Sequence, residues 1–532
     1  MRHVSSRTAR IAVLAIGVVL LAALVPAALA DDIAESKGFR KAVTVAGIRE
    51  HQTAFQAHAN ANGGNRVAGS AGYEASANYV VARMTAAGYV VSSQTFSFAF
   101  NADRTPAVLE RTSPTSKSYV DGVDFASMTF SPNGDETAPV SAVDLVVPSP
   151  GAMNGNTSGC EAADFAGFVP GHIALMQRGT CGFNVKAENA AAAGAVAAIV
   201  FNEGQTGRTG IISGTLGGPV THTAQTVGTT FAVGDELRNG VLNGPTGTTA
   251  RVKVDRVNET RTTRNVIAET PGGDPNRVVV AGAHLDSVPR GPGINDNGSG
   301  SGTLLEVAEV YAAQGREPRN KLRFMWFGAE EFNLLGSAAY VASLSQAERD
   351  RIEVMLNFDM VGSPNYVRFV YDGDGSATSP AGPAGSAFVE DVFADYFNSQ
   401  GLAFEPTQFS GRSDYGPFIA VGIPAGGLFT GAEGLKTAAQ AETYGGTAGA
   451  QYDPCYHLAC DTLAGTGSGA GATAPGLALT ALDEMSDAAA HAIHFFSRTK
   501  VDVAQTAASP AARSASPGSA QADFDAHEPV GE

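Results

Sequence analysis

The sequence predicts an α/β fold, a mostly parallel central sheet flanked by helices and interrupted by a small β-rich inserted domain. Three observations predict it. From 259 to 497, apolar strand-like runs alternate with amphipathic helical ones (VVVAGAH, TLLEVAEVYAA, LRFMWFG, AAYVASL), the pattern of parallel strands joined by crossover helices. Residues 31–105 carry a helical pattern over Tyr73–Ala87, closed by Gly88, and then the alternating VVSSQTFSF. Between them, 106–258 changes character. It is rich in Gly, Thr, Ser and Val, has one Ala-rich helix (Asn184–Ala193), and lacks paired acids. We therefore expect 31–105 and 259–497 to form one domain split by the insert.

The ends of the chain read differently. Arg2, Arg7 and Arg10 precede an apolar run from Ile11 to about Leu24, and Ala28-Leu29-Ala30 is a small-residue cleavage site. Residues 1–30 thus read as a signal peptide, and the run is short for a membrane anchor. We expect a secreted, extracellular protein, with no membrane association once the signal is removed. Residues 498–532 are rich in Ala, Ser and Pro and poor in large apolar residues, so a disordered tail is expected. The Gly-Thr-Gly-Ser-Gly run at 465–469 reads as a flexible surface loop.

A net charge of −17 argues against nucleic acid as a partner and mainly promotes solubility. Four cysteines in an exported chain imply two disulfides, and three pairings are open. Cys455 and Cys460 are close in sequence, as are Cys160 and Cys181, which makes local pairing the simplest. No Cys-x-x-Cys spacing supports a zinc finger.

Chemistry gathers where the apolar strands stop. Val278–Ala283 ends at His284, Leu322–Phe327 ends before Glu330-Glu331, and Val354–Phe358 ends at Asp359. Three strands thus deliver metal-capable side chains to the carboxyl edge, where open α/β sheets place their sites. The loop Gly293–Gly300 adds Asp296. Its glycines lack the spacing of a phosphate-binding loop and read better as permitting a tight strand-to-helix turn. Far downstream, YDPCYHLACD supplies His457 inside a loop that a Cys455–Cys460 bridge would constrain. No Gly-x-Ser-x-Gly elbow supports a serine hydrolase.

Taken in order, HLDSV, GINDNGSG, WFGAEE, NFDM and CYHLACD resemble the secreted bacterial double-zinc aminopeptidases of the leucyl-aminopeptidase type. GRSDYGPF (411–418) and GGLFTGAE (426–433) extend the likeness. The insert, with GCEAADF and ALMQRGTCGFNVKAENAAAAGAVAAIVFN, resembles a protease-associated domain. The resemblance implies a zinc exopeptidase fold and two Zn²⁺ per chain, bridged by Asp296. His284 and Asp359 would complete one site, Glu331 and His457 the other, and Asp286 would orient the His284 imidazole. It also implies a cis peptide bond after Asp296.

Two zinc ions, three carboxylates and one hydroxide sum to neutrality with both imidazoles uncharged. Glu330, left free of metal, would act as general base toward a metal-bridging hydroxide or water. Tyr456 matches the residue that stabilises the oxyanion, and Arg412 one near the substrate's amino end. Phe429 and Met360 match positions around the first side chain, implying removal of large apolar N-terminal residues from peptides and proteins with a free N-terminus. Glu330 and Asp359 resemble the carboxylates that receive the α-ammonium. Some relatives also bind calcium, and Asp483 and Asp487 match that late acidic pair. A carboxypeptidase would need a basic pocket for an α-carboxylate instead. A scaffold without chemistry would lack ligands that this sequence retains.

Overall fold

The computed structural model describes residues 32–147, 149, 154–464 and 477–506. The signal segment, the 465–469 run and the chain beyond 506 lie outside the described residues. Among the described residues there are two compact units, one of 32–97 with 262–506 and one of 98–261. The two long strands Val90–Ser113 and Gly244–Glu269 run without a break through both junctions. A boundary inside a continuous strand leaves no turn residue to mark it, and the composition change at 105 and 258 falls several residues away.

In the first unit the strands lie in the order Glu405–Thr407, Phe369–Tyr371, Ala425–Phe429, Ile352–Phe358, Asp274–His284, Asn320–Phe327 and the end of Gly244–Glu269. The four pairings Glu405–Thr407/Phe369–Tyr371, Ala425–Phe429/Ile352–Phe358, Ile352–Phe358/Asp274–His284 and Asp274–His284/Asn320–Phe327 are parallel. The remaining two are antiparallel.

Alternation within each strand sends side chains to opposite layers. Val279, Ala281 and Ala283 pack with Leu304 and Ile493 on one face, beneath the helices Gly298–Ala313 and Leu477–Arg498. Val278 and Val280 pack with Tyr340 and Phe418 on the other, beneath Leu335–Ser343 and Tyr415–Ala420. A sheet covered on both faces requires strands that are apolar almost throughout, and Asn320–Phe327 with its single Trp326 is one. The α/β fold with a mostly parallel sheet is therefore as the sequence predicts.

Two expectations need correction. The Gly298–Gly302 glycines do not form the turn but open the helix Gly298–Ala313, capped by Asn297 through its side chain to Gly300 N. A Cβ on Gly300 would stand 2.1 Å from Phe358 O, so the glycine serves close approach of helix to strand. The expected tail also begins too early. Val503, in the 3₁₀ turn Val503–Gln505, is fully buried in the main core, and Arg277 donates to Val501 O at 2.6 Å. One valine among small and polar residues has no periodicity to announce its burial.

In the second unit, Gly134–Ala142, Ile173–Gln177, Ala197–Phe201 and Gln225–Thr229 form consecutive parallel pairs. Gly244–Glu269 and Phe125–Ser127 pair antiparallel with the two outer members of this run. Helices Phe183–Ala192 and Phe231–Arg238 cover this sheet, and Cys160 is bridged to Cys181.

Candidate active site

The register of three parallel strands explains why the site assembles. Phe327 pairs with His284, and Asn357 pairs with Gly282. Strand ends at nearly one level therefore release His284, then Gly328–Glu331, then Asp359 along the same edge of the sheet. Backbone at this edge is held in unusual conformations. Ala329, Met360 and His457 all have positive φ, of 58°, 56° and 58°. Each such residue costs on the order of 1–3 kcal/mol, so the surrounding packing must enforce it. The peptide between Asp296 and Asn297 is cis.

Asp296 sits at the centre. Its Oδ1 lies 3.1 Å from His284 Nε2, and its Oδ2 lies 3.2 Å from His457 Nε2. Asp359 Oδ1 is 3.2 Å from the same His284 nitrogen, and Glu331 Oε2 is 3.0 Å from the same His457 nitrogen. The five residues expected to hold metal are thus brought together in two groups that share Asp296. Glu330 Oε2 stands 3.9 Å from His284 Nε2, outside hydrogen-bond reach.

The surroundings fix these groups through backbone amides. Asp286, fully buried, accepts from Glu330 N at 3.2 Å and Glu331 N at 3.4 Å. His284 Nδ1 faces the Asp286 carbonyl at 3.3 Å and its carboxylate at 3.7 Å. The imidazole is therefore oriented at least as much by the backbone of Asp286 as by its side chain. Sequence reasoning missed three further groups. Ser413 Oγ donates to Asp359 Oδ2 at 2.6 Å. Asp461 accepts from Asn295 N at 2.7 Å and Asp296 N at 2.9 Å, and Asp453 accepts from Asn295 Nδ2 at 2.7 Å. Asp453 and Asp461 flank the loop closed by the Cys455–Cys460 disulfide, which carries His457. Their closeness to Cys455 and Cys460 was the available signal.

Crowded, desolvated acids dominate the electrostatics. Burial pushes the Glu330 carboxyl well above the carboxylate range, with Asp359 and Glu331 adding repulsion against the relief from His284. Burial raises Glu331 as well. Burial pushes Asp414, next to Ser413, up to about 7. Asp296 is lowered instead, because hydrogen bonds to His284 and His457 outweigh its burial.

The remaining expected residues are placed as follows. Tyr456 stacks on His457 with ring centroids 3.8 Å apart. Arg412 donates to Glu433 Oε1 at 2.7 Å and reaches the Tyr456 hydroxyl at 3.4 Å. Met360 is buried and its N–H donates to Asn297 Oδ1 at 3.2 Å. Phe429 is half-buried and stacks on Phe369. The Asp483–Asp487 pair stands elsewhere, on Leu477–Arg498. Asp487 lies 3.6 Å from Arg40 Nη1, so a side-chain cation already serves it. Among the described residues, no metal-sized group of ligand atoms includes Asp483 or Asp487.

The donor set suits a borderline divalent cation. Two imidazoles and three carboxylates are mixed N/O donors of the kind zinc takes. Glu331 Oε1 is buried with no hydrogen-bond partner. Among the described residues, the ion-pair partners of Asp296, Glu330, Glu331 and Asp359 are the two histidines alone. Buried carboxylates so arranged call for added cations.

The comparisons with known proteins give the family. Residues 265–474 match the model of peptidase family M28, and residues 140–237 match that of the PA domain. An aminopeptidase of Pseudomonas aeruginosa is 50% identical over 408 residues, covering 76% of this chain and 74% of its own length. The chain belongs to peptidase family M28. A probable leucine aminopeptidase 2 of Aspergillus fumigatus is 43% identical to this M28 peptidase over 404 residues, 75% of each chain. Among solved structures, an aminopeptidase from Aneurinibacillus sp. strain AM-1 superposes with a TM-score of 0.64 at 29% identity. It covers 89% of this M28 peptidase and 98% of its own chain.

Proposed function

We propose that this protein is a secreted, zinc-dependent aminopeptidase that removes large apolar residues from the free N-termini of peptides and proteins. The observation that carries the reading is Asp296, which turns one carboxylate oxygen to each of two histidines on separate segments of a chain half identical to an aminopeptidase. His284 and Asp359 would hold one zinc ion, Glu331 and His457 the other, and Asp296 both. When bound, the ions would polarise the scissile carbonyl and acidify the attacking water.

Glu330 is left to handle the proton. Its carboxylate takes a proton from the attacking water and returns it to the leaving amine. A base whose affinity for protons is raised by burial is suited to that exchange. The Tyr456 hydroxyl donates to the oxyanion, and the Arg412 guanidinium beside it favours that polarity. Glu330 and Asp359 receive the substrate's α-ammonium, so an internal peptide, lacking that charge, binds poorly. Met360 and Phe429 line the apolar pocket for the first side chain. The leader at 1–30 and the two disulfides support export.

The test is hydrolysis of a panel of aminoacyl-anilides and their amino-blocked twins, with chelator and then with zinc restored. Activity on free-amine leucyl substrates alone, lost with chelator and regained with zinc, is expected. Absence of activity on every free-amine substrate would sink the reading.

A further inference from the structure

Arg66 is an arginine of unusual setting. It lies between the helices Val45–Ala61 and Ala71–Ala86 and has no exposed surface. Yet its guanidinium contacts no carboxylate. Nε donates to Pro292 O at 2.8 Å, Nη2 to Gly293 O at 2.6 Å and Nη1 to Leu285 O. Its backbone completes the attachment. Arg66 N donates to Ser287 Oγ at 2.9 Å, and Arg66 O accepts from Ser287 N at 3.3 Å. The planar fork of a guanidinium can serve several carbonyls at fixed angles, which a lysine ammonium cannot reproduce.

These partners have one thing in common. Leu285 and Ser287 begin the loop that leaves His284, while Pro292 and Gly293 end it just before Asp296. One side chain thus fastens both ends of the segment joining two candidate metal ligands. The fit leaves no slack, since a Cβ on Gly293 would stand 2.2 Å from Asp296 O and 3.2 Å from Arg66 Nη2. Asp461 grips the same segment by the amides of Asn295 and Asp296. Burying a charge without a paired ion is costly, so a role that needs the fork must offset it. Burial lowers the guanidinium to about 10, while Asp286, Asp461, Asp296 and Glu331 favour its charged form.

We propose that Arg66 is a positioning residue for the metal centre, setting where Asp296 stands relative to His284 by fastening both ends of the 285–293 loop. The inference rests on the two-zinc reading above. It goes further in assigning metal affinity to a residue outside the metal-ligand set, 230 positions from Asp296 in sequence.

Charge and position act in opposite directions here. Removing a positive charge near the carboxylates would by itself tighten cation binding. Loss of position would weaken it. Arg66→Lys keeps the charge and loses the fork, and Arg66→Met loses both. Both variants and the parent, stripped with chelator, are titrated with zinc against a chromophoric competitor, and their Tm is measured metal-free and loaded. Expected is at least a tenfold loss of zinc affinity in both, with a larger fall in Tm for the loaded form than for the metal-free one. Parental or tighter affinity in Arg66→Lys, or equal Tm losses in the two forms, would overturn the proposal. Should Arg66→Met not fold, Arg66→Lys alone decides. A parent that takes up no zinc would sink the function reading and this inference together, whereas unchanged variants of a zinc-binding parent sink only the inference.

Discussion

Ser413 Oγ donates to Asp359 Oδ2 over 2.6 Å and leaves Oδ1 of the same carboxylate turned toward His284. One oxygen is thereby committed to the protein and the other kept for the candidate centre. Ser413→Ala should free the carboxylate to rotate. Losses of supporting hydrogen bonds of this kind typically cost 10- to 100-fold in metal affinity. Equilibrium dialysis against buffered zinc would reveal it, and an unchanged isotherm would show that Asp359 needs no such support.

Glu330 and Glu331 are adjacent but differently placed, 3.9 Å from His284 and 3.0 Å from His457. Glu330→Ala should retain zinc and lose turnover by a factor on the order of 10²–10⁴. Glu331→Ala should instead lose affinity at one of two sites. Elemental analysis of the purified variants separates the roles. Zinc lost from the first and kept by the second would reverse them.

The Cys455–Cys460 bridge closes a very short loop, for which chain-entropy arguments give about 2 kcal/mol of global stability. Its larger effect should be local. With both cysteines replaced by serine, we expect weakened zinc binding on the His457 side and only a modest fall in Tm. Replacing Cys160 and Cys181, which close a longer loop, should cost about 3 kcal/mol and leave zinc affinity alone.

Acid sensitivity should come from three buried histidines outside the expected metal-ligand set. Burial lowers His51 to about 4, His491 to about 3 and His494 to about 4. Each is held neutral in the fold but takes a proton near 6.5 when unfolded, so the unfolded chain binds more protons below that pH. Stability is thus intact above about 6.5 and declines as pH falls toward 4, by up to about 4 kcal/mol per pH unit for the three together. Urea midpoints measured across that range should show the slope, and His491→Gln should remove roughly a third of it. A flat profile would contradict these burials.

Much of the site was legible because three of its five expected ligands follow apolar strands. His284, Glu331 and Asp359 each follow a run whose composition announces a buried strand, and strand ends converge in a parallel sheet. Asp296 and His457 lie in loops, where spacing and the Cys455–Cys460 pair singled them out, and the motif resemblance supplied their expected roles. What escaped were groups that act on backbone atoms far away in sequence. Arg66 serves the carbonyls of residues 285, 292 and 293, and Asp461 serves two amides at 295 and 296. Neither interaction leaves a periodicity or a charge pattern, because any residue can supply a carbonyl or an amide. The unit junctions were offset for a related reason, as a strand continuing across them has the same alternation on both sides.

The Ser97 and Thr262 hydroxyls are 3.2 Å apart although 164 residues separate them in the chain. The excursion between them leaves and returns at one spot on neighbouring strands, a separation that a tight turn can span. A chain spliced from 97 to 262 through a two-residue Asn-Gly hairpin keeps every expected zinc ligand and shortens the loop to be closed. A gene can therefore carry the 98–261 segment as one uninterrupted insertion whose two ends meet at a single point of the peptidase sheet.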